Sequence, residues 1–411
     1  MPFSPEASAG QADRAIQWRL VWGVVGLQAS LQLGWIVYSA YQPILLQRFG
    51  FVSLLLPFAL LPGLIGLLIE PISGGLSDRW ATGAHGRLLP ITVVVSVAGL
   101  IFLATAGLLH RGPAWIGVAV PGLMVAWMVA VQAASSPSLA QLNEAVSLRS
   151  LPQALALLTL TQGLIGAFSA SLARGALGLG PSFTFLLGGV VLALGLAVLR
   201  GGQGPTPLRP RDVTAPDPSP RGLLPAGVLL LVVALAVGGL FQLLLGLIPR
   251  LHPQATAGLL GGGQGSVVLL CSALGAPIAG RAVGRWGRLP CLISGITLLA
   301  LALAASLALP SGFEPVLLPL LGLIHSLVVT SLTATSLASL TPQWSGLGAG
   351  LALGGTGLAG SLSLLQFGST GPVPLKALLL LLAVTTTVAL GGCLWLELLR
   401  RQTRTASTGR A

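Results

Sequence analysis

Glu70-Pro-Ile-Ser-Gly-Gly-Leu-Ser-Asp-Arg-Trp80 and Ala276-Pro-Ile-Ala-Gly-Arg-Ala-Val-Gly-Arg-Trp286 are two versions of one segment. Pro71, Ile72, Gly74, Arg79 and Trp80 each recur 206 residues later, as Pro277, Ile278, Gly280, Arg285 and Trp286. Pro43 and Pro249 share that offset and are expected to close the first and seventh helices. Downstream, Gly86-Arg-Leu-Leu-Pro90 echoes Gly287-Arg-Leu-Pro290, and Ser138-Leu-Ala-Gln-Leu142 echoes Ser336-Leu-Ala-Ser-Leu340. Matches kept in register over this distance divide the chain into two related halves.

Composition supplies the solvent for those halves. Only 7% of the 411 residues are charged and 54% are hydrophobic, whereas a soluble domain carries about 25% charged residues. So few charges cannot cover a water-facing surface of this size, which excludes a soluble enzyme, a nucleic-acid binder and a disordered chain. The net charge of +12 then needs another explanation. The 56 glycines lie within apolar stretches, where small residues let helices approach closely in lipid. Cys271, Cys291 and Cys393 also lie in apolar stretches, so no disulfide framework is expected.

Hydropathy predicts twelve spans of roughly 20 residues each. They fall at 18–43, 52–74, 88–109, 114–138, 154–178, 182–200, 223–248, 257–279, 289–309, 315–340, 346–369 and 375–399. The predicted organisation is an N-terminal tail (1–17), a six-helix bundle (18–200), a Pro-rich linker (201–222), a second six-helix bundle (223–399) and a C-terminal tail (400–411). With the N-terminus inside, inside segments hold sixteen Arg and outside ends hold five Arg or Lys. This is a positive-inside bias, so the basic charge reads as topology. Both tails and the linker are expected in the cytoplasm. An even helix count gives both halves the same orientation, the parallel six-plus-six repeat of one transporter class.

Gly74-x-x-x-Asp78-Arg79 followed by Gly86-Arg87 resembles the signature loop of the major facilitator superfamily. The resemblance implies an all-α membrane protein, with two pseudo-symmetric six-helix bundles enclosing a central cavity. It implies a latch in which Asp78 meets the start of the eleventh span, around Trp344, Ser345 and Gly346. Arg79 and Arg87 would tie the loop to neighbouring helices. Gly280, Arg285 and Arg288 form the second copy, where Gly284 replaces the acid. Pro62 to Pro71, Gly74, Ser77 to Arg79, Gly86-Arg87 and Pro90 also resemble the sucrose and glycoside cation symporters over helices 2–3. That branch commonly has an amide where this chain has Glu70.

Candidate site residues follow from polar groups inside the spans. Gln28, Gln32, Trp35, Ser39 and Gln42 recur at steps of four and three, which places them on one helical face. The preferred reading is a cavity-lining stripe with Trp35 as an apolar platform; the alternative is helix–helix glue. Gln132, Ser135, Ser136, Gln141, Thr159, Gln162, Gln242, Gln264 and Gln366 are more simply packing contacts. Of these, Gln132 and Gln242 are the better pathway candidates. Glu70 is an acid within a span, either a protonatable coupling group or, the preferred reading, one half of an ion pair with a loop Arg. His325 can carry a proton, but a hydrogen bond to a hydroxyl or carbonyl is the simpler role. Arg174 is expected to snorkel. Glu144, Glu314 and Glu397 lie at span edges and need no functional role.

No phosphate loop, metal-ligand spacing or catalytic constellation is present in the sequence, so no cofactor, metal or enzymatic activity is expected. The expectation is a monomeric secondary transporter of the bacterial inner membrane. It would move a small, neutral polar solute, coupled to a proton gradient. The alternatives are a membrane assembly or scaffold protein on the same fold, such as a pigment-protein assembly factor, and a multidrug-type efflux transporter.

Overall fold

The computed structural model describes residues 16–81, 86–112, 115–147, 150–203, 220–251, 263–308, 312–340, 342–367 and 374–408. Among the described residues the chain is helical and has no strand. The first helices are α1 (Trp18–Arg48), α2 (Leu55–Trp80), α3 (Leu88–Arg111), α4 (Ile116–Ala145), α5 (Leu151–Ala167), α6 (Ser169–Leu179) and α7 (Pro181–Gly202). Then come α8 (Pro220–Leu251), α9 (Gln264–Trp286), α10 (Arg288–Ala308), α11 (Glu314–Ser339), α12 (Ser345–Phe367) and α13 (Leu375–Thr408).

Among the described residues, eleven helices are long and apolar enough to cross a membrane, and the α5–α6 pair makes a twelfth if it counts as one span. The protein is an integral, multi-pass membrane protein. Its surface has the matching character. On α2, Leu64, Leu68, Ile72 and Leu76 are exposed at four-residue spacing, while Gly63, Gly66, Glu70, Gly74 and Asp78 on the other face are buried. A helix that turns leucines outward and glycines inward has lipid as its solvent and a second backbone as its neighbour.

Several boundaries differ from the hydropathy reading. The expected 154–178 span is broken at Phe168, and α5 and α6 bend apart by 56°. Gly166 and Ser169 flank the break, and small residues of this kind are common kink sites. Pro43 lies inside α1 rather than at its end. Gly74, Asp78 and Arg79 are not in a loop: α2 stays helical to Trp80 despite Pro62 and Pro71. Prolines persist in such helices because neighbouring side chains satisfy freed backbone groups. The eighth span starts at Gln264, seven residues later than expected, and runs to Trp286. The last helix continues to Thr408, so the expected tail from residue 400 is largely helical. At 1.5 Å per residue α13 is about 51 Å long, more than the roughly 30 Å hydrocarbon layer. The N-terminal tail up to residue 15 and most of the linker, 204–219, lie outside the described residues.

Two apolar cores organise the packing. One is built mainly from α1 to α5 and α7, the other from α8 to α11 and α13. The most extensive contacts include α2 on α12 and α9 on α5, each joining a helix before residue 203 to one after residue 220. Since α2 and α9 carry the repeated Pro-Ile-x-x-Gly segment, the sequence repeat has a counterpart in the packing. Cys271, Cys291 and Cys393 are free thiols.

Candidate functional site

Asp78 sits in the last turn of α2, against the first residues of α12. A helix N-terminus leaves backbone N–H groups unbonded and favours negative charge. The N–H of Gly346 donates to Asp78 Oδ1 at 2.9 Å, and that of Leu347 to Oδ2 at 2.8 Å. Arg87 Nη1 lies 2.6 Å from Asp78 Oδ1, with both side chains buried. The same guanidinium donates from Nε to Glu144 Oε1 at 2.6 Å and from Nη1 to the Ser77 hydroxyl at 3.2 Å. Its Nη2 reaches the Ser345 hydroxyl at 3.5 Å. Burial alone would weaken the Arg87 charge, but the Glu144 and Asp78 carboxylates outweigh it and raise its pKa. One cation therefore ties together α2, the end of α4 and the start of α12.

From this latch the α2–α12 seam runs as a row of small residues. A side chain on Gly74 would collide with the Gly346 carbonyl, one on Gly350 with the Glu70 carbonyl, and one on Gly354 with the Gly66 carbonyl. The row ends where the Gly63 N–H donates to the Ser361 hydroxyl at 2.8 Å. The α5–α9 seam is similar. A side chain on Gly280 would meet the Pro152 carbonyl at 2.8 Å, and one on Gly163 would meet the Ala273 Cβ at 2.9 Å.

Beside the α5–α9 seam lies a cavity of about 350 Å³. From α1 it is lined by Gln28, Leu31, Gln32 and Trp35, from α4 by Ser135, and from α5 by Thr159, Gln162, Gly163 and Gly166. Leu269 and Ser272 of α9 and His325 and Val329 of α11 complete the wall. Its polar groups are partly tied down. Gln28 Nε2 donates to the Ser138 hydroxyl at 2.6 Å and the Ser135 carbonyl at 3.1 Å. Gln32 Nε2 donates to the Gln162 carbonyl at 3.0 Å, while its buried Oε1 has no hydrogen-bond donor. His325 Nδ1 and the Ser272 hydroxyl share a 2.9 Å hydrogen bond. The Thr159 and Thr330 hydroxyls meet across α5 and α11 at 3.3 Å. Trp35 stands edge-on to Tyr38 and Trp127, at 5.4 and 5.2 Å between ring centroids. Phe102 stacks on the far side of that cluster at 4.5 Å from Trp127, so Trp35 is held by aromatic packing. Among the described residues, no Asp, Glu, Lys or Arg lines the cavity.

The helix 1 stripe is therefore divided. Gln28, Gln32 and Trp35 reach the cavity, but Ser39 and Gln42, one and two turns further along, are not in its wall. The other two pathway candidates are packing contacts. Gln132 Nε2 donates to the Pro62 carbonyl at 2.8 Å, pinning α4 to α2. The Ser363 hydroxyl donates to Gln242 Oε1 at 3.2 Å, within α8 and α12. His325 and Ser272, and not Gln242, are in the cavity wall. Glu70 has no ion-pair partner among the described residues, because Arg87 engages Asp78 and Glu144 instead. Of the second motif copy, Gly280 packs against α5, Arg288 donates to the Ala338 carbonyl at 3.0 Å, and Arg285 is exposed. Arg79 is also at the exposed end of its helix. Arg174 lies on the exposed face of α6, near the Ser171 hydroxyl. The Gln366 and Glu314 side chains lie outside the described residues.

Glu144 was not singled out by sequence reasoning. Glu144 resembled any acid at a span edge, and nothing local marks its partner 57 residues away. Gly346, Gly350 and Gly354 did carry a signal, because small residues at four-residue spacing mark a close helix contact. No protein-family model matches the chain, and no curated protein sequence matches it either.

Proposed function

We propose that the chain is a secondary transporter of the major facilitator type. Two six-helix halves, 18–200 and 223–399, would rock about the central cavity in an alternating-access cycle. The observation that carries this reading is the uncharged, amide-lined cavity between α1, α5, α9 and α11. A scaffold has no need of a cavity there; its helices would be packed to the axis. The cavity's size falls in the usual range for small-ligand sites. Gln32 Oε1 offers an acceptor, Gln162 an amide, and Trp35 an apolar edge, a set suited to a neutral solute with hydrogen-bond donors. A permanent charge would enter unpaired and at high cost. Coupling to a proton gradient, residence in a bacterial inner membrane and cytoplasmic termini complete the proposal.

A screen for accumulation of small polar solutes by proteoliposomes, under an imposed proton gradient, tests it. For a transported solute, Gln32→Ala and Trp35→Ala should each lower uptake by about tenfold at unchanged expression, the worth of one lost hydrogen bond or contact. Unchanged uptake in both variants would reduce the amides to helix glue.

A further inference from the structure

Glu70 is unlike every other acid described in the protein. Asp78 and Glu144 are paired with Arg87, and Glu397 pairs with Arg401 at 3.1 Å. Glu70 is more than nine-tenths buried, and its Oε2 has no hydrogen-bond partner. It lies on the face of α2 that carries Gly66 and Gly74, both in contact with the α12 backbone, and directly opposite Gly350. Its own carbonyl is held by the Ser136 hydroxyl at 2.7 Å and the Ser73 hydroxyl at 3.2 Å, which fixes this turn of α2 against α4.

No charge on the packed helices compensates it. α12 has no titratable residue, and the only one on α4 is Glu144, already engaged by Arg87. On α2 itself the next ionisable groups are Asp78, paired at the latch, and Arg79 at the exposed helix end. A carboxylate buried without a partner is expensive, whereas a carboxylic acid in the same place is not. The latch beyond it is different, because its two carboxylates share the Arg87 guanidinium and Asp78 accepts from the Gly346 and Leu347 N–H groups.

We infer that Glu70 is a proton-binding site whose occupancy sets the α2–α12 seam: the proton is bound while the seam is closed and leaves to water when it opens. The inference rests on the alternating-access reading above. In the closed seam the carboxyl is neutral. When α12 separates from α2, water reaches Glu70, the O–H proton passes to that water, and the hydrated carboxylate resists re-closure until it is protonated again. The coupling site is then distinct from the solute cavity, whose own titratable group is His325. It works by opposing closure rather than by touching the solute.

The test uses full-length protein in lipid nanodiscs, with Cys271, Cys291 and Cys393 replaced by Ser. Spin labels are placed at the exposed positions Trp80 and Trp286, at the ends of α2 and α9. Distance distributions are recorded from about pH 5 to about pH 9, a range that brackets an ordinary and a strongly displaced carboxyl. In the parent protein the ratio of wide to narrow populations should rise with pH, by at most about tenfold per unit for one proton. Glu70→Gln should hold the narrow population across the range, and Glu70→Asp should restore the pH response. A Glu70→Gln profile that follows the parent would overturn the assignment, as would a Glu70→Asp profile with no response. A single fixed distance in the parent at every pH would overturn both the inference and the alternating-access reading. No solute is needed, so loss of the pH response in Glu70→Gln alone is separable from any failure of the transport assay.

Discussion

At the scale of single residues, Asp78 and Arg87 hold the end of α2 to the start of α12. Each group satisfies the other, and the Gly346 and Leu347 N–H groups share the Asp78 carboxylate. Removing one partner from a buried pair costs about 3–5 kcal/mol, because the other charge remains buried. Asp78→Ala should therefore destabilise the closed form by about that amount, read as a lower melting temperature in detergent. An unchanged melting temperature would count against the pairing. The exposed Arg401→Ala offers a comparison, since the Glu397–Arg401 pair on α13 faces solvent and such pairs contribute little. The sequence carried part of this site legibly. Gly-x-x-x-Asp-Arg is a local pattern, so it pointed to Asp78; the start of α12 as its partner was implied only by the family resemblance. Glu144 was not legible, since its role exists only once α4 is folded against Arg87.

At the scale of helices, the decisive feature is backbone against backbone. Gly74 on Gly346, Gly350 on Glu70 and Gly354 on Gly66 leave no room for a Cβ between α2 and α12. Lipid gives no hydrophobic drive for two helices to meet, so close packing of small residues must supply the association. A Gly350→Val side chain should keep the seam apart at this level, an overpacking penalty of about 1–3 kcal/mol. A thiol cross-link between cysteines at positions 75 and 347, which lie side by side, should then form about tenfold less. Gly107→Val, on α3 with nothing near it, should leave the cross-link unchanged. Equal cross-linking in both variants would mean that the seam does not depend on Gly350. Helix existence was readable from hydropathy, because a span is a long, uniform signal. The α5–α6 break was not, because small residues occur throughout this chain and only packing decides which ones bend.

At the scale of the whole molecule, the repeat in sequence, the two seams and the cavity beside the α5–α9 seam fit one another. The repeated Pro-Ile-x-x-Gly segment sits on the two helices, α2 and α9, that meet the opposite part of the chain. Stripe arithmetic on α1 found three cavity residues but not the far wall. Ser272 and His325 are brought together by α9 and α11 from positions 53 residues apart, a distance no periodicity reports. The central claim is that this cavity faces each side of the membrane in turn. The most direct measurement places a single cysteine at Gln32 in a background lacking Cys271, Cys291 and Cys393. Its reaction with a membrane-impermeant thiol reagent is then followed in right-side-out and inside-out vesicles. The account predicts labelling from both sides, slowed on one side when Gly350→Val biases the seam. Labelling from neither side, or from one side only under every condition, would contradict it.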